Sequence, residues 1–394
     1  MPGDGILPEQ EYVVVGAGPA GSLAAYSLAG RGHRVAIFHW RPLREKSCGG
    51  GVPASGMRSF GHLLEGVPRN EVRRIRLVAP SGNRVEIELD TSIAVFSRRD
   101  LDLALLKRAE DQGAVRLDAR VLGVEPRADG YLIQAQGEGG RIQSHARFVV
   151  CADGAAGIVR AKLLSQDRTV TRAVPSREFS RSWNTYPAAP TADLLEIAYL
   201  EGGADGYAWS FPRIGHSSVG ICEQDLGGGT RALRVCLERM IESERLTGTV
   251  RLSGIGSPIP SVRSSVSTHP VEGRRFVLVG DAAGAVDPIT REGIHLAMST
   301  GNAVGEVDPL ERPGRYQAWF EQVVEPELQA AARWSHRFYS PRFLEWMVEG
   351  LRLSAPLRQV FRQILSGETS YRSLNWRLSL AAPEVLWQAL KKNL

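Results

Sequence analysis

At 394 residues, with 43% hydrophobic and 23% charged residues, the chain has the length of two or three domains and the composition of an ordinary globular protein. No apolar run approaches the roughly 18 residues of a membrane-spanning helix, and the N-terminal MPGDGILPEQ has neither the basic nor the apolar stretch of a secretion signal. Cys48, Cys151, Cys222 and Cys236 show no metal-ligand or disulfide-framework spacing, so the expectation is a cytoplasmic chain with no metal site.

The chain opens on Tyr12–Phe38, which reads strand, glycine turn, helix, strand. Gly16-Ala17-Gly18-Pro19-Ala20-Gly21 fits G-x-G-x-x-G and makes Gly16, Gly18, Ala20 and Gly21 candidate cofactor contacts. The helix that follows aims its free N–H groups and its dipole at a pyrophosphate. An acid that holds a ribose is expected at the end of the second strand; His39 stands there instead. An imidazole can bond a ribose hydroxyl, or His39 is an ordinary loop residue.

Next comes Cys48-Gly49-Gly50-Gly51, too flexible for the interior of a strand or helix and suited to a backbone lying against a flat ligand, or else a surface loop. Val72–Asp90 reads as a hairpin turning at Ser81-Gly82-Asn83. A helix follows with Asp100 as its cap and Leu101, Leu105 and Leu106 inward, ending at Gly113. Short strands then run to Val150 and lead into Asp153-Gly154, a candidate phosphate or ribose contact at a strand's carboxyl end.

Residues 170–269 read as mixed β with one helix near Thr230–Ser243. In Tyr207-Ala-Trp209-Ser-Phe211-Pro212 the alternation puts three aromatics on one side of a strand, as core or as the wall of an apolar ligand cavity. Arg275–Asp281 repeats the strand and glycine-loop pattern, with Gly280 and Asp281 at the strand end and a helix reaching about Gly305. From Arg315 the chain reads as helices broken at Pro326, Pro341, Pro356 and Pro383. Residues 331–394 hold eight Arg and two Lys against four Glu, and five of the eight Trp lie beyond residue 318. Arginine with tryptophan on amphipathic helices suits contact with the inner face of a membrane, or a helical cap with a solvated outer face. No nucleic-acid motif accompanies the basic cluster, and nothing indicates the oligomeric state.

Taken together, Gly16-x-Gly18-x-x-Gly21, Cys48-Gly-Gly-Gly51, Asp153-Gly154, Tyr207-x-Trp209-x-Phe211-Pro212 and Gly280-Asp281-Ala-Ala-Gly284 resemble the geranylgeranyl reductase family, within the p-hydroxybenzoate hydroxylase-like flavoproteins. The resemblance implies an α/β fold with a Rossmann-type FAD-binding domain (1–70, 95–165 and 273–330), interleaved with a mixed β-sheet substrate domain (71–94 and 166–272), and a C-terminal helical region (331–394). It implies noncovalent FAD, with Gly16, Gly18 and Gly21 at the pyrophosphate and Arg98 near the adenosine end. Asp281 then lies at the central linkage, Asp153 and Gly154 in the cofactor region, and Gly49, Gly50, Gly51, Gly293 and Ile294 along the flavin ring. Tyr207, Trp209 and Phe211 would line an apolar tunnel.

The implied reaction reduces isolated C=C bonds of an isoprenoid chain or prenyl lipid, with NADPH, NADH or a ferredoxin as donor. An isolated alkene has no carbonyl to absorb charge, so hydride transfer needs a proton at nearly the same moment from an acid in a dry cavity. Cys48 is the candidate acid, since an ordinary thiol carries its proton at neutral pH; otherwise it is a small residue shaping the tunnel. A monooxygenase of the same fold, and a lipid binder with a disabled flavin site, are the other readings. Three positions depart from the family pattern: His39, Cys222 after Gly220, and Arg291 where glycine is usual. A guanidinium at Arg291 could pair with an anionic substrate group or with reduced flavin, or point to solvent.

Overall fold

The structure, a computed structural model, describes residues 5–40, 43–166, 178–224, 229–251, 253–262, 270–374 and 376–378. The chain divides into two compact units: residues 1–44, 99–178 and 260–329, and residues 45–98, 179–259 and 330–394.

The first unit is built on five parallel strands in the order Phe276–Leu278, Gly140–Cys151, Gln10–Val15, Val35–Phe38 and Val115–Leu117. Gln10–Val15 lies at the centre, and its Tyr12, Val13 and Val14 are fully buried. Covered on both sides, such a strand reads as an unbroken apolar run rather than an alternating one. Gly140–Cys151 does two jobs. Its first half pairs antiparallel with Gly130–Gly137, which pairs in turn with Ala119–Arg127; its second half runs parallel to Gln10–Val15.

Helices Pro19–Ala29 and Ile294–Val307 press together on this sheet. A Cβ at Gly301 would sit 2.0 Å from the Ala20 carbonyl oxygen, so only glycine permits the approach. At the opposite end of the central strand the Tyr12 hydroxyl donates to Asp308 at 2.6 Å and accepts from the Leu310 N–H at 3.1 Å. His33 meets the same carboxylate at 3.0 Å.

The second unit is an eight-stranded mixed sheet. Its order is Ile255–Pro260, Phe179–Thr185, Ser217–Gln224, Asp205–Pro212, Leu195–Tyr199, Arg69–Val78, Arg84–Phe96 and Gly51–Val52. Leu195–Tyr199 runs parallel to Arg69–Val78. One face carries Tyr199, Tyr207, Trp209, Ile75, Leu77 and Ile87 against Leu344, Met347, Val348, Leu351 and Leu357 of helices Pro341–Leu353 and Ala355–Leu365. The other packs Trp183, Ala208, Val219 and Ile221 against Leu233, Leu237 and Met240 of helix Gly229–Glu242.

Several elements differ from the sequence expectation. The unit boundaries place residues 45–70 and 95–98 in the second unit, because Gly51–Val52 pairs with Ala94–Val95 and extends that sheet. Gly51 opens this two-residue strand, at its end rather than in its interior. The hairpin turns where expected, with Gly82 at φ +92°, but its second strand continues to Phe96. The helix expected to be capped by Asp100 begins at Arg98 and holds Asp100 in its first turn; Leu101, Leu105 and Leu106 are fully buried. Residues 330 onward group with the second unit rather than standing apart. Pro341 and Pro356 open their helices, where the missing N–H costs nothing, and Ser340 and Ser354 cap them. Pro383 and the rest of 379–394 lie outside the described residues. Among the described residues no helix is long and apolar enough to cross a membrane.

Candidate functional site

In the first unit the glycine turn follows the central strand. Gly16 has φ +106°, and a Cβ there would lie 2.3 Å from the Ala152 carbonyl oxygen. A Cβ at Gly21 would lie 1.8 Å from the Gly16 oxygen. Both glycines are therefore fixed by packing, while Gly18 forms the cap position of helix Pro19–Ala29. That helix has no capping side chain and no acid in its first turn. Its N-terminal donors and dipole are left for an external anion, so the residues fit a pyrophosphate. His39 follows Phe38 at the carboxyl end of the next strand, where a ribose contact is expected, with its own N–H donating to the Leu117 oxygen at 2.9 Å.

Asp153 carries a different load from a ligand contact. Its carboxylate accepts from the Val159 and Arg160 N–H groups at 2.8 and 3.3 Å, capping helix Ile158–Gln166, and from the Cys151 thiol at 3.0 Å. Burial raises its pKa despite these bonds, and burial with the nearby Asp153 charge pushes the Cys151 thiol up as well. A Cβ at Gly157 would lie 2.0 Å from that carboxylate, which explains the glycine. Gly154, with φ +81°, turns the chain between strand and helix.

Gly280 has φ +57° and donates its N–H to Thr300 Oγ1 at 3.0 Å; Asp281 follows it, half-buried, at the end of the last parallel strand. Gly293 caps helix Ile294–Val307, and Ile294 is buried. Unlike the first helix, this one receives a side chain at its N-terminus: Glu292 accepts from the His295 N–H at 2.7 Å. Burial, with Asp287 and Asp281 nearby, raises the Glu292 pKa to about 7 against that bond. Arg291 is buried with φ +58°. That left-handed conformation is why glycine is the natural residue there, and an arginine bears about 1 kcal/mol of backbone strain.

In the second unit Cys48–Gly51 lies on one edge of the aromatic row. A Cβ at Gly49 would sit 2.5 Å from the Phe211 ring, and one at Gly51 3.2 Å from it. Tyr207 and Trp209 are buried in the core beneath the C-terminal helices, whereas Phe211 is half-buried. The row therefore divides into two core residues and one that packs on the glycine loop. Cys222 is fully buried opposite Tyr207, and Gly220 gives room to the Trp209 ring, which a Cβ would approach to 2.3 Å. Cys48 is half-buried with a free thiol that accepts from the Gly50 N–H at 3.3 Å. Arg98 is buried at the start of its helix, and its backbone N–H donates to Glu45 at 3.3 Å.

Sequence reasoning missed the residues that hold this loop. Arg213 is 1% exposed. It donates to the Cys48 oxygen at 2.8 Å, to the Gly49 oxygen at 3.0 Å, and to the Glu45 carboxylate. Ser218 Oγ donates to the Cys48 oxygen at 2.9 Å and accepts from the Trp209 indole at 3.1 Å. Tyr186 donates to the Lys46 oxygen, and the Arg213 guanidinium lies 5.2 Å from its ring centroid. Burial raises the Tyr186 pKa to about 12, against Arg213. At Glu45 burial pulls upward, but Arg213, Ser97 and the Arg98 N–H outweigh it and leave the carboxyl below its usual range. The available signal was position: Arg213 directly follows Phe211-Pro212, and Glu45 precedes Cys48 by three residues.

Comparison with known proteins agrees with this geometry. The family described as FAD binding domain matches residues 9–306. The chain is 30% identical to a geranylgeranyl diphosphate reductase of Rhodobacter capsulatus, over 72% of this chain and 71% of that one. It is 33% identical to digeranylgeranylglycerophospholipid reductase 1 of Methanopyrus kandleri, over 74% and 78%. Among solved structures, a geranylgeranyl bacteriochlorophyll reductase-like protein of Thermoplasma acidophilum superposes with a TM-score of 0.76 at 21% identity, covering 98% of this chain and all of that one. A flavin-dependent brominase, Bmp2, gives 0.71 at 15% identity, covering 91% and 94%.

Proposed function

Because the chain belongs to the FAD-binding-domain family, in the branch of the geranylgeranyl reductases, we propose that it reduces isolated C=C bonds of an isoprenoid chain carried on a prenyl diphosphate or prenyl lipid. The observation that carries this reading is the identity to two such reductases over most of the chain. The uncapped N-terminus of helix Pro19–Ala29 and the fixed Cys48–Gly51 loop support it.

FAD, when bound, supplies the hydride. Gly16, Gly18, Ala20 and Gly21 hold its pyrophosphate through backbone N–H groups, and His39 bonds the adenosine ribose. Asp281, Gly293 and Ile294 are the first unit's further cofactor contacts; Gly49, Gly50, Gly51 and Arg98 are those of the second unit. Asp153 and Gly154 serve it indirectly, by fixing the turn and helix beside the glycine motif. Cys48 delivers the proton to the alkene carbon that the hydride does not take. Phe211 presents an apolar face to the chain, and Arg291 holds an anionic group of substrate or cofactor.

The test is to reduce the flavoprotein anaerobically with NADPH, NADH or reduced ferredoxin and add prenyl diphosphates, prenyl lipids or prenylquinones. Products heavier by two hydrogens per bond support the reading. With the same substrates in air, hydroxylated product that does not form anaerobically overturns it in favour of a monooxygenase, and a protein that takes up no flavin overturns both. Cys48→Ala is expected to keep flavin and lower turnover by about a hundredfold, within the usual range for a general acid.

A membrane contact belongs to the same proposal. Trp334, Phe338, Phe343 and Trp346 form a row with ring centroids 5.8–6.3 Å from Phe343. Arg333, Arg337 and Arg342 are exposed beside it, and Trp346 is 45% exposed. That pairing suits anionic headgroups over an apolar boundary. Trp346→Ser with Arg342→Ser should weaken sedimentation with anionic vesicles, and equal binding would refute it.

A further inference from the structure

The proposed chemistry places a proton donor on a run of three glycines, the most flexible backbone a chain can have. Fixing such residues costs about 1–2 kcal/mol each in conformational entropy, so the loop needs an organiser. We infer that Arg213 is that organiser: a positioning residue whose buried guanidinium, neutralised by Glu45, sets the conformation of Cys48 and Gly49 and thereby the orientation of the Cys48 thiol. The inference rests on the reading of Cys48 as the proton donor.

The geometry is specific to a fork. One guanidinium nitrogen reaches two successive carbonyls, of Cys48 at 2.8 Å and Gly49 at 3.0 Å, and Nε adds a bond to the Gly49 oxygen at 3.3 Å. Turning both carbonyls onto one side chain fixes the torsions between them. The Gly50 N–H then lies 3.3 Å from Cys48 Sγ and holds the sulfur.

Around this centre other loop residues are tied as well. Ser47 Oγ meets Ser182 Oγ at 2.8 Å, and the Phe96 N–H donates to the Gly50 oxygen at 2.9 Å. Gly50 has φ +88°, and a Cβ on it would lie 3.0 Å from an Arg213 nitrogen. A lysine at 213 could keep the charge facing Glu45, but its single ammonium lacks the rigid planar fork. Burying a guanidinium is unfavourable unless it is paired and bonded. Glu45 supplies the pair, and Ser97 and the Arg98 N–H in turn hold Glu45.

A tie that merely joined two loops would show only in stability, so the test reads Cys48 itself. In the full-length flavoprotein with Cys236→Ser, which removes the other half-buried thiol, the iodoacetamide alkylation of Cys48 is followed by peptide mass from pH 6 to 10 for Arg213, Arg213→Lys and Arg213→Gln. The expected result is a Cys48 pH profile that shifts in Arg213→Gln, with a rate changed by about tenfold, the equivalent of about 1.4 kcal/mol. Arg213→Lys should fall between it and the parent. kcat per bound flavin should drop in the same order.

Superimposable alkylation profiles in the variants would overturn the inference, whatever their melting temperatures. If Arg213→Gln does not fold, Arg213→Lys decides alone by the same comparison. If the parent reduces no prenyl chain, the reading of function fails, and the alkylation profiles still decide whether Arg213 positions Cys48.

Discussion

Gly49→Ala tests whether the glycine run is there for Phe211 or only for a ligand. A Cβ at Gly49 would sit 2.5, 2.7 and 3.1 Å from Phe211 Cδ2, Cε2 and Cγ, where ordinary contacts begin at 3.4 Å, so the ring must retreat. Overpacking of that size costs about 1–3 kcal/mol. Gly49 has no positive φ, so alanine is not strained by its own backbone and recovers about 0.4–1 kcal/mol of unfolded-state entropy. The single mutant should therefore lose about 1–2 kcal/mol, or about 2–4 °C of melting temperature per kcal/mol for a unit of this size.

Phe211→Ala alone should also destabilise, by somewhat less than the roughly 3–5 kcal/mol of a fully buried phenylalanine. In the double mutant the methyl enters vacated space, and Gly49→Ala becomes neutral or slightly stabilising. The expected coupling is about 2 kcal/mol, well beyond the roughly 0.3–0.5 kcal/mol scatter of independent sites. The assay is the melting temperature of all four proteins together with flavin bound per chain. Additive melting effects would refute the packing argument. Loss of flavin in Gly49→Ala that Phe211→Ala does not restore would show that the glycine serves the ligand instead.

Gly16→Ala combines φ +106° with a 2.3 Å clash on the Ala152 oxygen, and should abolish flavin uptake and lower the melting temperature; retained flavin would contradict the turn's role. Asp153→Ala removes the cap of helix Ile158–Gln166 and should cost about 1–2 kcal/mol in urea unfolding; an unchanged midpoint would leave the carboxylate free for another role. Glu292 has a folded-state pKa raised from 4.5 to about 7, so the folded protein holds its proton more tightly than the unfolded chain. Stability is therefore lost as pH rises from about 4.5 to 7, by up to about 3 kcal/mol. Glu292→Gln keeps an acceptor for the His295 N–H, and should gain melting temperature over the parent at pH 8 but not at pH 4.5; an equal difference at both would refute the assignment.

Much of the first unit was legible because its signals are local. A β-branched run followed by glycines at fixed spacing specifies a strand, a turn with left-handed backbone and a helix, and Gly16 and Gly21 pack as that pattern requires. The hairpin at Gly82 followed from turn chemistry, the helix around Thr230 from its apolar face, and the breaks at Pro341 and Pro356 from the proline ring, which the structure places at helix starts. The family, and with it the cofactor, was also readable from motif order. Tertiary structure alone decided how side chains were shared. Asp153 looked like a ligand contact from its place after a strand, yet its carboxylate is taken up by a helix N-terminus six residues on. Tyr207, Trp209 and Phe211 alternate alike, but two lie in the core under helices from the chain's end while Phe211 packs on the glycine loop. Arg213 and Glu45 are 168 residues apart and become a pair only when the sheet brings them together. Spacing along a chain encodes backbone conformation and the facing of side chains within one element. Which distant carbonyl, ring or charge a side chain finally meets depends on packing between elements, and a single sequence does not carry that information locally.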